Sequence, residues 1–356
     1  MHTGGSLHVA KRIGIALLSF AHSHQRAWAR VFFERPDARI AAVWDDDPER
    51  GKAAAAAVNA PFIADLDAVL ARDDVDAVTI CAENVKHAEL AVRAARAGKH
   101  IMMQKPMATS VEEADRIVAA VEEAGVTYMQ AYNLRFDPLH TTVWELVRSG
   151  AIGRVNVVRR RHSHHFGLTV EDSERVLGWM TDPAQAGGGA LMDEGAHALL
   201  WYIWMFGPPT HVTAVMSRAM PHLRVEDNAL LTLEFAEGVV GTLQTSWTEI
   251  AGGPTIEIYG DKGVIVATGT DISSTRFMQP GAPLLSVFRA ETGQWEHPPV
   301  ELVTARAVPP PNAFVDCLVE GRPSPVPVRV ARAAVATAVA AYESARTGRR
   351  VAIDHG

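Results

Sequence analysis

Lys105, Asp193 and His197 are residues whose types and spacing suit proton-coupled chemistry on a hydroxyl group. Lys105 follows the apolar run His100–Gln104, at the carboxyl end of a predicted buried strand, where parallel sheets collect their ligands. Desolvation there lowers the pKa of an ammonium group and lets it donate to, or accept from, a substrate oxygen. Asp193 and His197 are four residues apart, so on a helix they share a face. A histidine that titrates near neutrality can take the proton of a carbinol, and a neighbouring carboxylate can orient it. Each has a plainer reading, as a lysine marking a surface strand end and as an exposed i,i+4 pair. The surrounding segment is strongly apolar, however, with Leu191, Ala196, Leu199, Leu200, Trp201, Ile203 and Trp204. An acid and a histidine on such a helix need partners or a cavity.

A second cluster is Arg159-Arg160-Arg161-His162-Ser163-His164-His165. On a strand His162 and His164 point to one face, and Arg161 and His165 to the other. With His197 and an acid nearby, these histidines could ligate a metal. The reading preferred here is that they contact a polar or anionic substrate while the arginines form a solvated stripe, with no metal assigned. Trp179 is expected to cap the pocket or to pack under the following loop.

These residues need a frame, and the pattern supplies one. Predicted strands at Arg12–Leu18, Ile40–Trp44, Ala77–Ala82, His100–Gln104 and Thr127–Ala131 alternate with predicted helices at His24–Glu34, Pro48–Val58, Leu66–Ala71, Val85–Ala97 and Ser110–Ala124. The strands are nearly continuous apolar runs, as expected when both faces are covered. Ser110 with Glu113 reads as a capping box, and Gly98 and Gly125 sit just past helix ends. Such alternation implies a doubly wound parallel sheet.

After residue 134 the pattern changes. A predicted helix at Pro138–Ser149 leads to a strand at Arg154–His162, then to a glycine-rich stretch opening a helix near Gly189–Phe206. Predicted strands follow at His211–Arg218, Ala229–Phe235, Val239–Trp247, Thr255–Tyr259 and Val264–Ala267, with a turn at Gly260–Gly263. A Pro-rich loop, Val308–Pro311, precedes two closing helices. The expected fold class is an α/β Rossmann-type domain over 1–134, with 1–10 a loose tail, then an α+β domain with a large open, mainly antiparallel sheet over 135–356.

The first strand–helix turn lacks the Gly-x-Gly-x-x-Gly that lets pyrophosphate approach backbone N–H groups. It reads Ser19-Phe20-Ala21-His22-Ser23-His24, in which the small residues Ser19, Ala21 and Ser23 still allow close approach. The second strand ends in Trp44-Asp45-Asp46-Asp47-Pro48, and Asp45 has the spacing of a carboxylate that holds a ribose hydroxyl. Carboxylates there repel a 2′-phosphate, which favours NAD over NADP. Three acids before a proline also read as a helix cap, a role assigned to Asp47.

The chain resembles the Gfo/Idh/MocA family of glucose–fructose oxidoreductase, inositol dehydrogenase and relatives. The resemblance rests on Ala97-Gly98-Lys99-His100 leading into Gln104-Lys105-Pro106, on Asn133-x-Arg135-Phe136-x-Pro138, and on Gly187-Gly188-Gly189 through Asp193-x-Gly195-x-His197. Ala341-Tyr342-Glu343-Ser344-Ala345 before Gly348-Arg349 resembles the family's closing helix. The resemblance implies an NAD(P)-dependent dehydrogenase acting on a sugar, cyclitol or related hydroxy compound, with homo-oligomers. It implies cofactor contacts at Ser19, Phe20, Ala21, His22, Asp45, Asn84, His87, Gln104 and Lys105, and substrate contacts at Arg135, His162, His164 and Trp179. Two alternatives stay open: an isomerase, lyase or glycosidase that retains NAD and oxidises transiently, and a ligand sensor on the same fold. The chain departs from the family at its glycine-poor loop, at Leu200, and at Gln104, which stands where the family has glutamate. Loss of that carboxylate implies a lysine that deprotonates more readily.

Composition narrows the partners. A net charge of −7 argues against non-specific binding to nucleic acid or anionic membrane. Two distant cysteines, Cys81 and Cys317, imply no disulfide framework and suit a reducing cytoplasm. Lys11-Arg12 before Ile13–Ala21 imitates a signal-peptide core, but is read as the first strand because the rest of such a sheet follows.

Overall fold

The computed structural model describes residues 12–276, 278–300 and 310–356. The expected tail at 1–10 and the first half of the Val308–Pro311 loop lie outside the described residues.

Five parallel strands form the first sheet: β1 (Ile13–Leu18), β2 (Ala38–Trp44), β3 (Ala77–Ile80), β4 (His100–Met103) and β5 (Tyr128–Gln130), in the order β2-β1-β3-β4-β5. The segment that imitates a signal peptide is thus a strand with partners on both sides. Helices α1 (His24–Glu34), α2 (Pro48–Ala57), α3 (Leu66–Leu70), α4 (His87–Arg96) and α5 (Val111–Ala124) cover the faces. Their ends follow local chemistry. Asp47 accepts from the N–H groups of Glu49 and Arg50, which opens α2. Ser110 accepts from Glu113 N–H, but the reciprocal Glu113 carboxylate reaches Thr109. Gly98 and Gly125 take left-handed φ values of 71° and 65°. The chain reverses between β1 and β3, and that topological switch point opens a crevice at their carboxyl ends.

Helix α6 (Pro138–Arg148) leads to the second sheet. It contains β6 (Val155–Ser163), β7 (His211–Ser217), β8 (Asn228–Glu234), β9 (Val240–Ser246), β10 (Ile256–Gly260), β11 (Gly263–Ala267), β12 (Leu285–Arg289), β13 (Gln294–Glu296) and β14 (Val351–Ala352). The order is β13-β12-β11-β10-β6-β9-β8-β7-β14. Neighbours are antiparallel except β6 and β9, which run parallel. One sheet face packs on α7 (Ala196–Phe206), whose Trp201 and Tyr202 are fully buried. The other face is open, with Val215 67% and Leu230 55% exposed.

Helix α8 begins at Pro310 and runs to Glu320, so Pro310 and Pro311 form a first helical turn rather than a loop. Arg35, at the end of α1, pairs with Asp316 of α8. Helix α9 (Val328–Thr347) lies between the two layers. Arg332, 5% exposed, pairs with Asp115 of α5, while Ala331, Ala334, Val335 and Ala338 line a small gap with Met107 and Leu200. The closing helices therefore join the two parts instead of belonging to the second alone.

Candidate active site

A cavity of about 670 Å³ lies between the two sheets and receives Lys105, Asp193 and His197 together. Lys105 comes from the loop after β4 and is 4% exposed. Its Nζ donates to the backbone oxygen of Asp193 at 3.1 Å and pairs closely with Oδ1 of the same residue. Leu191–Gly195 forms a wide π-helical turn that passes directly into α7. Asp193 and His197 therefore meet across a π–α junction rather than on one regular α-helical face. The His197 ring is 8% exposed, and its Nδ1 is buried with no hydrogen-bond partner among the described residues.

Glycines make this junction possible. A Cβ on Gly189 would overlap the carbonyl oxygen of Glu226, and one on Gly188 would overlap the Tyr342 hydroxyl. Glu226 accepts from Gly189 N–H at 2.9 Å, Leu191 N–H at 3.1 Å and Tyr342 Oη at 2.7 Å. Tyr342 in the closing helix thereby braces the turn that carries Asp193.

Burial alone pushes the Asp193 carboxyl up, but the Lys105 ammonium and His164 outweigh it and hold the group well below the usual carboxylate range. Trp247 Nε1 also donates to its Oδ2 at 3.0 Å. Burial, reinforced by Lys105, lowers the pKa of His197 well below the ordinary histidine value, so its ring is neutral at pH 7. A neutral, unpartnered ring can accept a proton.

His162 and His164 also line the cavity. Arg160 shares their face, which corrects the solvated stripe: it is 2% exposed, lies over Trp201 and donates to Thr270 at 2.8 Å. Residues 158, 160 and 162 alternate inward on β6, so the period-2 rule carried the signal. Of the three arginines, Arg159 is the exposed one, and Arg161 pairs with Glu249 at 3.2 Å.

Potential ligand atoms of His162, Glu194 and His197 lie within 4.8 Å of one another, as do those of His164, Asp193 and Glu194. Both His162 and His164, however, face a donor at Nδ1. Arg160 Nη2 is 3.1 Å from that atom of His162, and Phe166 N–H is 3.2 Å from that of His164. A guanidinium only donates, so the His162 ring, kept neutral by burial, carries its proton on Nε2, the atom nearest the Glu194 carboxylate. A protonated ring nitrogen cannot ligate a metal. The arrangement favours hydrogen bonding to an organic ligand.

At the crevice, Ser19 takes a left-handed φ of 65°, the conformation a glycine would supply. Ala21 N–H bonds to Ser19 Oγ, and His22 N–H bonds to Cys81 O. Gln104 bonds through Nε2 to His24 at 2.8 Å and to His22, while its Oε1 takes the Lys105 N–H. The carboxylate beside the Lys105 ammonium is therefore that of Asp193.

Several expected contacts differ. The Asp45 carboxylate is fully buried and takes Phe20 N–H at 2.8 Å, Asp47 N–H at 3.0 Å and a two-pronged Arg50, so it braces the loop and cannot also hold a ribose. His87 is fully buried, with its ring nitrogens 2.7 Å from Pro106 O and 3.1 Å from Ala82 O, which leaves none for a cofactor. Arg135 stacks on Trp204 at 4.6 Å, outside the cavity. Trp179 donates to Ala21 O at 3.1 Å, and Asn84 donates to Ala186 O at 2.8 Å. Trp179 clasps the crevice from the second layer and Asn84 from the first, while Met180, not Trp179, lines the cavity. Phe20 packs into the first core.

Side chains absent from the sequence-based set also line the cavity, among them His24, His140, Glu194 and Asp271. His24 and Glu194 sat beside recognised positions. His140 and Asp271 arrive from distant segments and had no local signal.

Two family models match. Residues 13–132 match the oxidoreductase family with an NAD-binding Rossmann fold, and residues 140–266 match the GFO/IDH/MocA C-terminal domain. The chain belongs to the Gfo/Idh/MocA family. It is 30% identical over 245 residues to inositol 2-dehydrogenase of Rhizobium meliloti, covering 67% of this chain and 71% of that one. It is also 30% identical over 220 residues to levoglucosan dehydrogenase of Pseudarthrobacter phenanthrenivorans, covering 54% of this chain and 55% of that one. The structure of GenD2 from gentamicin A biosynthesis, in complex with NAD, superposes with a TM-score of 0.78 at 27% identity, covering 99% of both chains. This family member thus has an NAD-binding Rossmann domain and is an oxidoreductase. The crevice fits that cofactor: α1 opens at the carboxyl ends of β1 and β3, and the loop makes its left-handed turn with small side chains.

Proposed function

We propose that this protein is an NAD-linked dehydrogenase acting on the CH–OH group of a sugar, cyclitol or related polyol. The observation that carries it is the meeting of Lys105, Asp193 and His197 in one cavity beside the dinucleotide crevice. Bound NAD supplies the hydride acceptor. Ser19, Ala21 and His22 line its pyrophosphate path, with Asn84 and Gln104 flanking it. Lys105 donates to the substrate oxygen and polarises it. Asp193, held ionised, fixes the Lys105 ammonium in place. The neutral His197 ring takes the hydroxyl proton.

NAD is favoured over NADP by the charge at the end of β2. Asp46 and Glu83 pair with Arg50 and Lys86 there, so a 2′-phosphate would meet carboxylates whose cations are already engaged. The open sheet face with Val215 and Leu230 supports a homo-oligomer. Among the described residues no helix is long and apolar enough to cross a membrane. The buried thiols Cys81 and Cys317 support a cytoplasmic setting.

The test is NADH formation from a polyol panel by the wild type, Lys105→Met and His197→Ala. Loss of at least about 100-fold in both variants is expected. Wild-type rates in both would sink the assignment.

A further inference from the structure

Glu194 lines the cavity beside the proposed reacting group and is 8% exposed. Lys105 pairs with Asp193 rather than with Glu194. Among the described residues the ion-pair partner of Glu194 is His162, with Nε2 at 3.5 Å from Oε2. That histidine is neutral, because burial, reinforced by Arg160, holds its pKa well below the ordinary value. The Arg160 donor at Nδ1 fixes the proton on Nε2. The cavity wall therefore presents one donor, His162 Nε2–H, beside one acceptor, the Glu194 carboxylate.

A donor beside an acceptor selects its ligand. An ammonium group has donors but no acceptor, and a carboxylate has acceptors but no donor. A hydroxyl has both and can sit between the two side chains, accepting from His162 and donating to Glu194. Lys105 and Asp193 form a second donor–acceptor pair a short distance away, where the first hydroxyl reacts. The two pairs adjoin: ligand atoms of Asp193 and Glu194 lie within 4.8 Å of each other, and a ring nitrogen of His197 lies within the same distance of His162 and Glu194. That reach suits hydroxyls on neighbouring carbons of one ring.

We propose that Glu194 touches substrate, bracketing with His162 a second hydroxyl next to the one oxidised, and so restricts this enzyme to vicinal diols. The inference rests on the dehydrogenase reading above and adds a recognition rule to it. Burial raises the Glu194 pKa to about 7, with His164 acting against the rise and Asp193 adding to it, so both protonation states are present near neutrality, and each keeps an oxygen that accepts from a hydroxyl.

The test uses myo-inositol, levoglucosan and D-glucose, each beside its monodeoxy analogues, with NAD or NADP. The wild type should prefer a parent polyol over the analogue lacking the neighbouring hydroxyl by about 10- to 100-fold in kcat/KM. In Glu194→Gln and in His162→Asn that ratio should fall towards one. A ratio is independent of the fraction of active protein, and the second variant guards against misfolding of the first. Oxidation of the polyols with an unchanged ratio in both variants overturns the diol rule and leaves the dehydrogenase reading intact. No oxidation of any of the three overturns both.

Discussion

The indole of Trp247 donates to Asp193 Oδ2 at 3.0 Å, on the side of the carboxylate away from Lys105. Trp247 is fully buried just beyond β9 and stacks against His164, with ring planes 8° apart. It thus locks both the carboxylate and a histidine that faces the same carboxylate. Trp247→Phe keeps an aromatic ring at the position and removes the donor. A hydrogen bond to a buried charged group contributes about 1.5–3 kcal/mol. We expect a fall in kcat of about 10-fold or more, with a smaller change in KM, measured by steady-state NADH formation.

The buried histidines should make the protein acid-sensitive. His140 is 1% exposed, and burial, with Arg160 adding to it, lowers its pKa well below the ordinary 6.5. A group neutral in the fold and titratable in the unfolded chain contributes stability above the unfolded pKa, and that contribution is lost as pH falls below it. Denaturant unfolding at pH 7, 6 and 5 should show this fall. His140→Phe should flatten the slope below pH 6 by about 1.4 kcal/mol per pH unit.

Gly189→Ala should destabilise the fold by about 1–3 kcal/mol, because the added Cβ meets the backbone oxygen of Glu226 rather than a movable side chain. The Glu226 carboxylate that binds Gly189 and Leu191 N–H would be displaced with it. Thermal unfolding should report the loss. Activity at a temperature where the variant remains folded should also fall, since Asp193 hangs from this turn.

Trp179 reaches from the second layer to the Ala21 carbonyl across the crevice. Trp179→Phe should release nucleotide about 5- to 10-fold faster, the loss of one ordinary hydrogen bond. Stopped-flow fluorescence of NADH displacement measures this directly. An unchanged release rate would mean that the clasp opens without limiting exchange.

The first sheet was legible in detail because each strand and helix announces itself locally. His24–Glu34 lies where periodicity put it, and Asp47, Gly98 and Gly125 act as their types predict. Asp193 and His197 were legible as a motif, but the π-turn joining them was not, since no residue type encodes it alone. The strands β12 and β13 went unread, as did the parallel pairing of β6 with β9, because pairing is a long-range choice. Asp45, His87 and Arg135 carried the right types for a site. Their side chains are instead engaged by Arg50, by backbone carbonyls and by Trp204, and no local pattern reports such partners. Glu194 needed the fold itself, which brings β6 against the turn that bears it.

Helix α9 separates the order in which the site is written from the order in which it is made. Lys105 and Asp193 both precede it in the chain, yet its alanines pack between the loop bearing one and the helix that continues from the other. During synthesis the reactive side chains leave the ribosome well before the helix that packs behind them. The first sheet can assemble early from its own short-range contacts, but the cavity is a late product of the chain, finished when its last long helix docks.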